Sequence, residues 1–490
     1  MNMNDTSEKS QNLARRLVVP KAMGLTSLTG MIVVSALILF ACSSLRHALF
    51  QSAAFDLGIF DQAIYLISQG EPPISSFINH HIMGDHAAWI LYLLAPLYKI
   101  YPDVHWLFAI QAISLALGAL PTWYLASQAG LTRKQATAMA VVYLLYPLVF
   151  NINLFDFHPE VMAIPPLLGA VLAARLHQLG WFCVAIIFVL GCKAVLTMTV
   201  AAMGFWLLIF EKRRIYGAIA LFAGVAWFLI ATQAVIPLFT EPERVTGIGR
   251  YDFLGDSVLE IGKNVFLKPE LVLSKIFTLP NLEYWALLLS PVIWGLSLQH
   301  LTPLVGAVPT LFLNLLTDHQ PQKDLTHQYS LPVLPFLLLA VISTLAAGSG
   351  WLRSRRAIVL WSLVAFLALA KFGYFGSIYL ESINTWQATR EAISHIQPQK
   401  SILTDNHLAP HVAHRPVVEL IGSSSSLDQL TGFEYVLLNL RHPWSDSQEV
   451  APELVNKLRH NPQFQLGYER DEVYLLERVN LPSPVRKPSP

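Results

Sequence analysis

The feature that most constrains this chain is a series of apolar runs, each long enough to cross a bilayer as one α-helix. Such a crossing takes about 20 residues. Charged residues make up 13% of the chain, whereas soluble globular proteins carry about 25%. The sequence therefore predicts an α-helical protein that crosses the membrane many times. Its net charge of +1 indicates no nucleic-acid partner.

We expect about eleven transmembrane helices within residues 23–380. The first apolar run, 25–43, is longer than a signal-peptide core and has no convincing cleavage site, so we expect it to be retained. Residues 87–98 are too short to span the membrane and are interrupted by Pro96, which favours an interfacial or re-entrant helix. The other predicted spans are 105–127, 137–152, 161–176, 216–239, 282–298, 303–316, 329–347 and 357–380, with two short helices within 180–210.

The position of Lys193 decides how residues 180–210 are arranged. One tilted span would place the Lys193 ammonium in hydrocarbon, whereas two short helices would place it at the tip of a hairpin. We favour the hairpin because every loop rich in Arg and Lys then lies on one side, as the positive-inside rule requires. Those loops are 15–21, 133–134, 175, 212–214 and 353–356.

This arrangement predicts where each polar segment lies. The N-tail, residues 1–22, is expected in the cytoplasm, with the protein integral to a bacterial inner membrane. The external loop 47–104 is expected on the opposite side, together with Lys193 and the polar segments 153–160, 240–280 and 317–328.

The tail, residues 381–480, changes character and predicts a small α/β domain outside the membrane. Short apolar segments predict strands at 401–404 and 434–439 and a hairpin from 464–468 and 472–477. A helix is predicted within 448–460, and residues 481–490 are predicted to be disordered.

Ionisable side chains gather directly after the first apolar run. They are Asp56, Asp61, His80, His81, Asp85 and His86. Ionisable groups at a membrane edge are costly and mark functional sites, so we predict the rim of a membrane-embedded catalytic site. For Asp56 and Asp61, a helix cap is the alternative. Asp56, Asp85 and His86 also have the ligand types of a divalent metal, but their spacing is not that of a known motif, so substrate binding is favoured and metal binding stays open.

A second polar segment contains Asp156, His158 and Glu160 at alternate positions. Because alternate residues of an extended segment share one face, we expect all three side chains to point into one cavity facing the first loop. A solvated turn is the alternative. A buried Lys193 needs a partner, and we expect Asp56, Asp156 or a phosphate to stabilise it.

A third polar patch contains His327 and Tyr329, residue types that suit an anionic lipid phosphate. The chain contains no P-loop and no dinucleotide-binding glycine pattern. It has no GxSxG nucleophile elbow either. Energy from a cytoplasmic nucleotide is therefore not expected.

Several motifs resemble a bacterial family of predicted membrane proteins named DUF2079, over nearly the whole chain. They are FDLGIFDQ at 55–62, GDH at 84–86, NLFDFHPE at 153–160, HQYSLPVLPF at 327–336 and LAPHVAHRP at 408–416. That family is similar to the GT-C glycosyltransferases, polytopic enzymes that use polyprenyl-phosphate sugars. The resemblance implies a GT-C-like fold over residues 23–380. It also implies that Asp56, near the end of the first span, is a general base or part of metal-assisted activation.

One departure concerns the residues after Lys193. The family carries Lys-Glu-Asp there, whereas this chain has Ala194 and Val195 in place of the two acids. The resemblance therefore leaves open whether the activity is weakened or altered.

Three functions remain open from the sequence. The first is transfer of a sugar from a polyprenyl-phosphate donor to an acceptor hydroxyl, with Asp56 as the base and Lys193, His327 and Tyr329 holding the phosphate. The groups predicted to bind sugar and acceptor are Asp61, His81, Asp85, His86, Asp156, His158 and Glu160. The second is a lipid or solute transporter or flippase, which would need ionisable groups midway along its spans. The third is a scaffold whose tail binds partners. The bilayer and a lipid-linked sugar are the expected partners.

Overall fold

The structure is a computed structural model that describes residues 22–240, 247–422 and 432–479. Two predicted segments, the N-tail up to residue 21 and the segment 481–490, lie outside the described residues.

Helices α1 to α12 form the first half of the chain. They are Ala22–Ala48 (α1), Ile59–Gln69 (α2), Ile82–His86 (α3), Ala95–Ile100 (α4), His105–Leu117 (α5), Ala119–Gln128 (α6), Arg133–Leu144 (α7), Pro147–Leu154 (α8), Ile164–Arg175 (α9), Leu179–Cys192 (α10), Leu196–Ile209 (α11) and Arg214–Ile230 (α12). The later helices are Ile236–Phe239 (α13), Val258–Leu267 (α14), Pro269–Ile276 (α15), Leu279–Leu289 (α16), Val308–Leu316 (α17), Leu334–Ala346 (α18), Arg355–Leu369 (α19), Trp386–Ser394 (α20) and Val450–Arg459 (α21).

Among the described residues, five helical segments are long and apolar enough to cross a membrane. They are Ser27–Ala48, His105–Gln128, Arg133–Leu154, Arg214–Phe239 and Gln320–Ala346. A further crossing is bent by 43° between Arg355–Leu369 and Lys371–Leu380. Shorter apolar helices cover Trp89–Ile100, Leu179–Cys192, Leu196–Ile209 and Thr302–Leu316. The count of eleven spans stays a prediction, because these shorter helices do not reach the length of a crossing by themselves.

The predicted span 282–298 does not form one helix. Helix α16 ends at Leu289, and a 3-10 turn follows at Ile293–Gly295. Pro291 explains the break, because it has no backbone N–H to donate to the carbonyl of Leu287 and its ring crowds that carbonyl.

The hairpin around Lys193 is confirmed. Helix α10 ends at Cys192, Lys193 has extended backbone, and α11 begins at Leu196. The next turn brings α12 back against α11 at very short range. A Cβ atom on Gly204 would lie 2.2 Å from the backbone nitrogen of Leu221. Small residues are the usual means by which membrane helices approach each other this closely.

The first external loop folds over the end of the helical part. It contains α2, a two-residue antiparallel pair formed by Ile74–Ser75 (β1) and His80–His81 (β2), and α3. A Cβ atom on Gly84 would lie 2.7 Å from the carbonyl oxygen of Phe239, so this loop packs directly against the end of α13. The segment after it forms a 3-10 helix, Trp89–Leu93, and then α4.

The tail forms a mixed five-stranded sheet. Its strands are Ile402–Thr404 (β3), Val418–Leu420 (β4), Tyr435–Asn439 (β5), Phe464–Arg470 (β6) and Val473–Arg478 (β7), in the order β4-β3-β5-β7-β6. Strand β3 is parallel to β4 and β5, whereas β7 is antiparallel to β5 and β6. The predicted strands, hairpin and helix are therefore confirmed, while β4 was not predicted. We call the described residues 381–422 and 432–479 the tail domain.

Alternating side chains give the sheet two buried faces. Leu403, Val436 and Leu476 pack with Leu454 of α21 on one face. Ile402 and its neighbours belong to the large core that continues into the helical part. The tail domain is therefore packed against the external loop rather than attached by a linker alone.

Candidate active site

The segment 156–160 gives its three ionisable side chains three different partners. Asp156 pairs with Arg46, His158 with Asp56, and Glu160 with Lys193. The expectation that all three would share one cavity face is therefore wrong.

Backbone geometry explains this separation. Asp156 has a φ of +87°, and the segment turns into a 3-10 helix at Pro159–Ala163. Because the segment is not extended, alternate side chains do not share a face.

Asp56 and His158 form the most open of these pairs. Nε2 of His158 lies 3.2 Å from Oδ1 of Asp56, and the Asp56 side chain is 25% exposed while that of His158 is 3% exposed. The Phe155 ring stacks on His158 with centroids 5.3 Å apart. A buried, stacked imidazole therefore orients a carboxylate that still reaches open space, which is the arrangement a general base needs.

Arg46 and Asp156 form a buried ion pair behind this carboxylate. Oδ2 of Asp156 also accepts a hydrogen bond of 2.9 Å from the backbone N–H of Ala53. The Arg46 guanidinium lies 5.9 Å from the centre of the Tyr379 ring. Sequence reasoning missed Arg46, although one signal was present, because it is a cation at the end of the first span on the side opposite to the Arg-rich loops.

Glu160 and Lys193 form a second buried pair, with Oε1 and Nζ 2.5 Å apart. The expected partners of Lys193, Asp56 and Asp156, are wrong, because both carboxylates are paired elsewhere. Next to Lys193, the backbone N–H of Ala194 donates to the carbonyl of His86 over 2.9 Å. The hairpin tip is therefore fastened to the first external loop.

The remaining predicted site residues of the first loop lie near this hydrogen bond between Ala194 and His86. Asp85 and His86 contact each other at 3.2 Å, and burial lowers the pKa of the His86 imidazole below its ordinary value. His81 stacks on Phe239 with centroids 4.3 Å apart, and its Nδ1 accepts the backbone N–H of Met83. These side chains therefore help to hold the loop, and their predicted contacts with substrate stay predictions.

Asp61 is buried, and one of its carboxylate oxygens accepts two hydrogen bonds. Its Oδ1 accepts hydrogen bonds from the Tyr98 hydroxyl over 2.6 Å and from Nε2 of His414 over 3.0 Å. Burial would lower the pKa of His414, but the Asp61 carboxylate raises it above its ordinary value. Asp61 thus anchors the tail domain on the external loop, and its predicted sugar contact stays a prediction.

The third polar patch is divided in the structure. His327 lies beside the Phe155 ring, with centroids 4.1 Å apart, and pairs with Asp324 at 2.8 Å. Tyr329 lies under Arg250, whose guanidinium is 5.2 Å from the ring centre. His327 therefore borders the site, while Tyr329 faces a second cation.

A cavity of about 270 Å³ opens between the helical part and the tail domain. We call it the cation-lined cavity, because Arg46, Lys371, Tyr374 and Tyr379 line it. No Asp or Glu of the described chain lines it. Two cations and two phenols suit an anion with several oxygen atoms, such as a phosphate. Lys371 and both tyrosines lie in the bent last crossing and were not singled out from the sequence.

The residues present do not fit a metal ion. In the part of the chain that the structure describes, no group of three or more His, Cys, Asp or Glu side chains is placed to hold one. The metal candidates Asp56, Asp85 and His86 divide between two separate pairs.

Comparisons with known proteins give one matching family and several similar solved structures. The model of the family "Predicted membrane protein (DUF2079)" matches residues 46–475. The structure of ArnT from Cupriavidus metallidurans bound to undecaprenyl phosphate is similar at 12% identity, with a TM-score of 0.53, over 94% of this chain and 99% of that one. The archaeal oligosaccharyltransferase AglB from Archaeoglobus fulgidus, in complex with an inhibitory peptide and a dolichol-phosphate, is 11% identical with a TM-score of 0.40, over 86% of this chain and 70% of that one. No curated protein matches the chain by sequence.

Proposed function

Since this chain belongs to the DUF2079 family of membrane proteins and has a GT-C-like fold, we propose that it is a glycosyltransferase. It transfers a sugar from a polyprenyl-phosphate donor to an acceptor hydroxyl. The observation that carries the proposal is the position of the partly exposed Asp56–His158 pair close to the cation-lined cavity. Phe155 connects them, because it stacks on His158 and also lines the cavity.

The cavity supports the choice of donor. A sugar phosphate on a lipid combines an anion with a long apolar chain, and the cavity combines Arg46 and Lys371 with apolar helices around it. Charge-assisted hydrogen bonds from these cations would hold the phosphate. The ArnT structure, whose fold is similar, contains undecaprenyl phosphate, which supports a lipid of this class as the donor carrier.

The proposed reaction is a single displacement. The Asp56 carboxylate takes the proton of the acceptor hydroxyl while the oxygen of that hydroxyl bonds to the anomeric carbon of the sugar. The bond from that carbon to the phosphate oxygen breaks, and polyprenyl phosphate leaves with the bonding electrons. Arg46 and Lys371 stabilise the charge on the leaving phosphate. His158 is a positioning residue, because it acts by orienting Asp56.

Two of the predicted phosphate contacts change under this proposal. Lys193 pairs with Glu160 at 2.5 Å and does not line the cation-lined cavity, so we assign it to holding the hairpin tip instead. Tyr329 is held beside Arg250, away from the cavity. His327 borders the site next to Phe155 and keeps its proposed contact with substrate.

The proposal does not depend on the two acids that are missing after Lys193. Ala194 uses its backbone N–H to bond the carbonyl of His86, so this turn serves as a structural contact. Catalysis then depends on Asp56 and not on residues 194 and 195.

We also propose that the N-terminus is cytoplasmic and that the tail domain lies outside the cell membrane. The distribution of Arg and Lys among the short loops supports this orientation. The acceptor is accordingly a molecule of the extracytoplasmic side.

Analysis of lipids in cells tests the proposed function. A strain without the protein is complemented with the wild type or with Asp56→Asn, and lipid-linked sugars are measured by mass spectrometry. We expect one polyprenyl-phosphate sugar to accumulate, and one glycan product to disappear, both without the protein and with Asp56→Asn. The matched control is Asp252→Asn, an exposed aspartate of the same predicted side.

Two results would contradict the proposal. If Asp56→Asn restored the glycan fully at equal protein level, Asp56 would not be the base. If no lipid-linked sugar changed on deletion, the glycosyltransferase assignment would fail, and transport or scaffolding would take its place.

A further inference from the structure

A second cavity, of about 180 Å³, lies at one edge of the sheet in the tail domain. We call it the strand-end cavity. The parallel strands β3 and β5 end at Thr404 and Asn439, and Asp405 and Asn439 both line the cavity. Ligands of open α/β sheets bind outside the carboxyl ends of parallel strands. The cavity therefore occupies the position in the sheet where a ligand is expected.

The lining combines hydrogen-bonding side chains with an aromatic ring. Glu381, Thr389 and His442 contribute polar atoms, and Trp444 contributes the ring. Unlike the cation-lined cavity, no Lys or Arg of the described chain lines it. A lining that combines polar side chains with an aromatic ring suits a neutral ligand with many hydroxyl groups and an apolar face, such as a sugar ring.

Asp405 is the most informative side chain of this lining. It is only 2% exposed, and its Oδ1 accepts the backbone N–H groups of His407 and Leu408 over 3.0 and 3.1 Å. These two bonds fix the orientation of the carboxyl group, which lines the cavity and can hydrogen-bond a ligand hydroxyl there.

The wall that carries Trp444 is held in place without a ligand. Oδ1 of Asn439 accepts the backbone N–H groups of Arg441 and His442, each over 3.2 Å. The Trp444 ring also contacts the His407 ring, with centroids 4.7 Å apart. The cavity is therefore preformed, which lowers the cost of ordering it on binding.

The two cavities are neighbours. Gln51, His407 and Trp444 line both. Sites for drug-sized ligands have volumes of about 300–1,000 Å³, so the smaller strand-end cavity has room for one ring and not for a longer chain. A ligand in it would lie directly beside the place proposed for the donor phosphate.

We propose that the strand-end cavity binds one sugar ring of the acceptor, so that the acceptor of this protein is a carbohydrate. The identification of this ligand as the acceptor rests on the proposed function. The binding of a sugar ring in the cavity does not depend on it. The tail domain then has a defined task, because it holds the acceptor next to the donor. The contact between His414 and Asp61 fixes the tail domain on the loop that carries Asp56.

Direct binding tests this inference without any lipid-linked donor. The full chain in lipid nanodiscs is titrated with the methyl glycosides of glucose, galactose, mannose and N-acetylglucosamine, followed by saturation-transfer difference NMR. We expect at least one glycoside to bind saturably. Trp444→Leu and Glu381→Gln should each weaken that binding at least tenfold, and Trp444→Phe should retain most of it because the ring face is kept.

Trp351→Leu is the matched control, because Trp351 is 62% exposed and follows α18 at the opposite end of the helical part. It should bind like the wild type. The inference is overturned if no glycoside saturates, or if Trp444→Leu binds as tightly as Trp351→Leu. Transfer is measured separately in cells. If no glycoside bound but deletion of the protein still changed the lipid-linked sugars, sugar binding in this cavity would be ruled out and the proposed function would not be contradicted.

Discussion

The buried pair of Glu160 and Lys193 gives the sharpest prediction of stability. The two side chains are 4% and 11% exposed, and their charged atoms lie 2.5 Å apart. Glu160→Gln keeps the shape of the side chain but leaves the Lys193 ammonium buried without a counter-charge. Removing one partner of such a pair costs about 3–5 kcal/mol. At about 1.4 kcal/mol for each factor of ten, the folding equilibrium shifts by roughly a hundred- to several-thousand-fold.

The double variant separates this explanation from a general loss of packing. Lys193→Met with Glu160→Gln removes both charges, and replacing a buried pair by groups of similar volume is often close to neutral. We therefore expect the double variant to regain most of the stability that Glu160→Gln loses. Thermal unfolding of the detergent-purified protein, followed by the loss of its monodisperse chromatographic peak, measures all three.

Glu453→Gln is the control, because Glu453 pairs with Lys457 at 2.6 Å on the surface of α21 with both side chains at least half exposed. An exposed pair contributes about 0–1 kcal/mol. If Glu160→Gln unfolded like this control, or if the double variant were no more stable than Glu160→Gln, the reasoning about the buried charge would be refuted.

Three further predictions concern other contacts. Asp61→Asn removes the charge that faces His414, and loss of a hydrogen bond to a charged group costs about 1.5–3 kcal/mol, so proteolysis within the tail domain should become faster. Gly204→Val drives a side chain into the backbone of Leu221, and overpacking of about 1–3 kcal/mol should lower the melting temperature. Burial raises the pKa of Asp405 to about 7, from about 3.9 in an unfolded chain. The folded state therefore holds the extra proton, so the contribution of Asp405 to stability should fall as pH rises from about 4 to 7, and Asp405→Asn should lose that dependence in melting curves.

Each of these has a control and a contradicting result. Proteolysis of Asp61→Asn is compared with Asp252→Asn, and equal rates would contradict the anchoring contact. Gly204→Val is compared with Gly180→Ala, where no atom lies within 4 Å of the added Cβ, and equal melting temperatures would contradict the close helix approach. If the melting temperature of Asp405→Asn depended on pH as that of the wild type does, the raised pKa of Asp405 would be contradicted.

Local chemistry made part of this fold predictable. The hairpin at Lys193 followed from charge placement alone, since a charged side chain is excluded from hydrocarbon unless it is paired. The strands β3 and β5 followed from short apolar segments bounded by turn residues. Strand β4 was missed because Val418–Leu420 has a glutamate at its centre, whereas the equally short β3 has no charged residue.

The pairing of site residues could not be read from the sequence. Arg46 and Asp156 are 110 positions apart, and nothing in either local pattern specifies the other. The alternation of Asp156, His158 and Glu160 predicted one shared face, but the positive φ of Asp156 and the helix that begins at Pro159 rotate the side chains apart. Asp56 was identified from its place after the first span and from the family motif, whereas its partner His158 depends on tertiary packing.

Turnover by the purified protein tests the central claim most directly. The wild type in nanodiscs is given a polyprenyl-phosphate sugar and a carbohydrate acceptor, and released polyprenyl phosphate is quantified together with the glycosylated product. General base catalysis contributes about 10²–10⁴-fold, so Asp56→Asn should lose at least a hundredfold in rate while Asp252→Asn keeps the wild-type rate. Equal rates for Asp56→Asn and the wild type would contradict the account of Asp56 as the base of a sugar transfer.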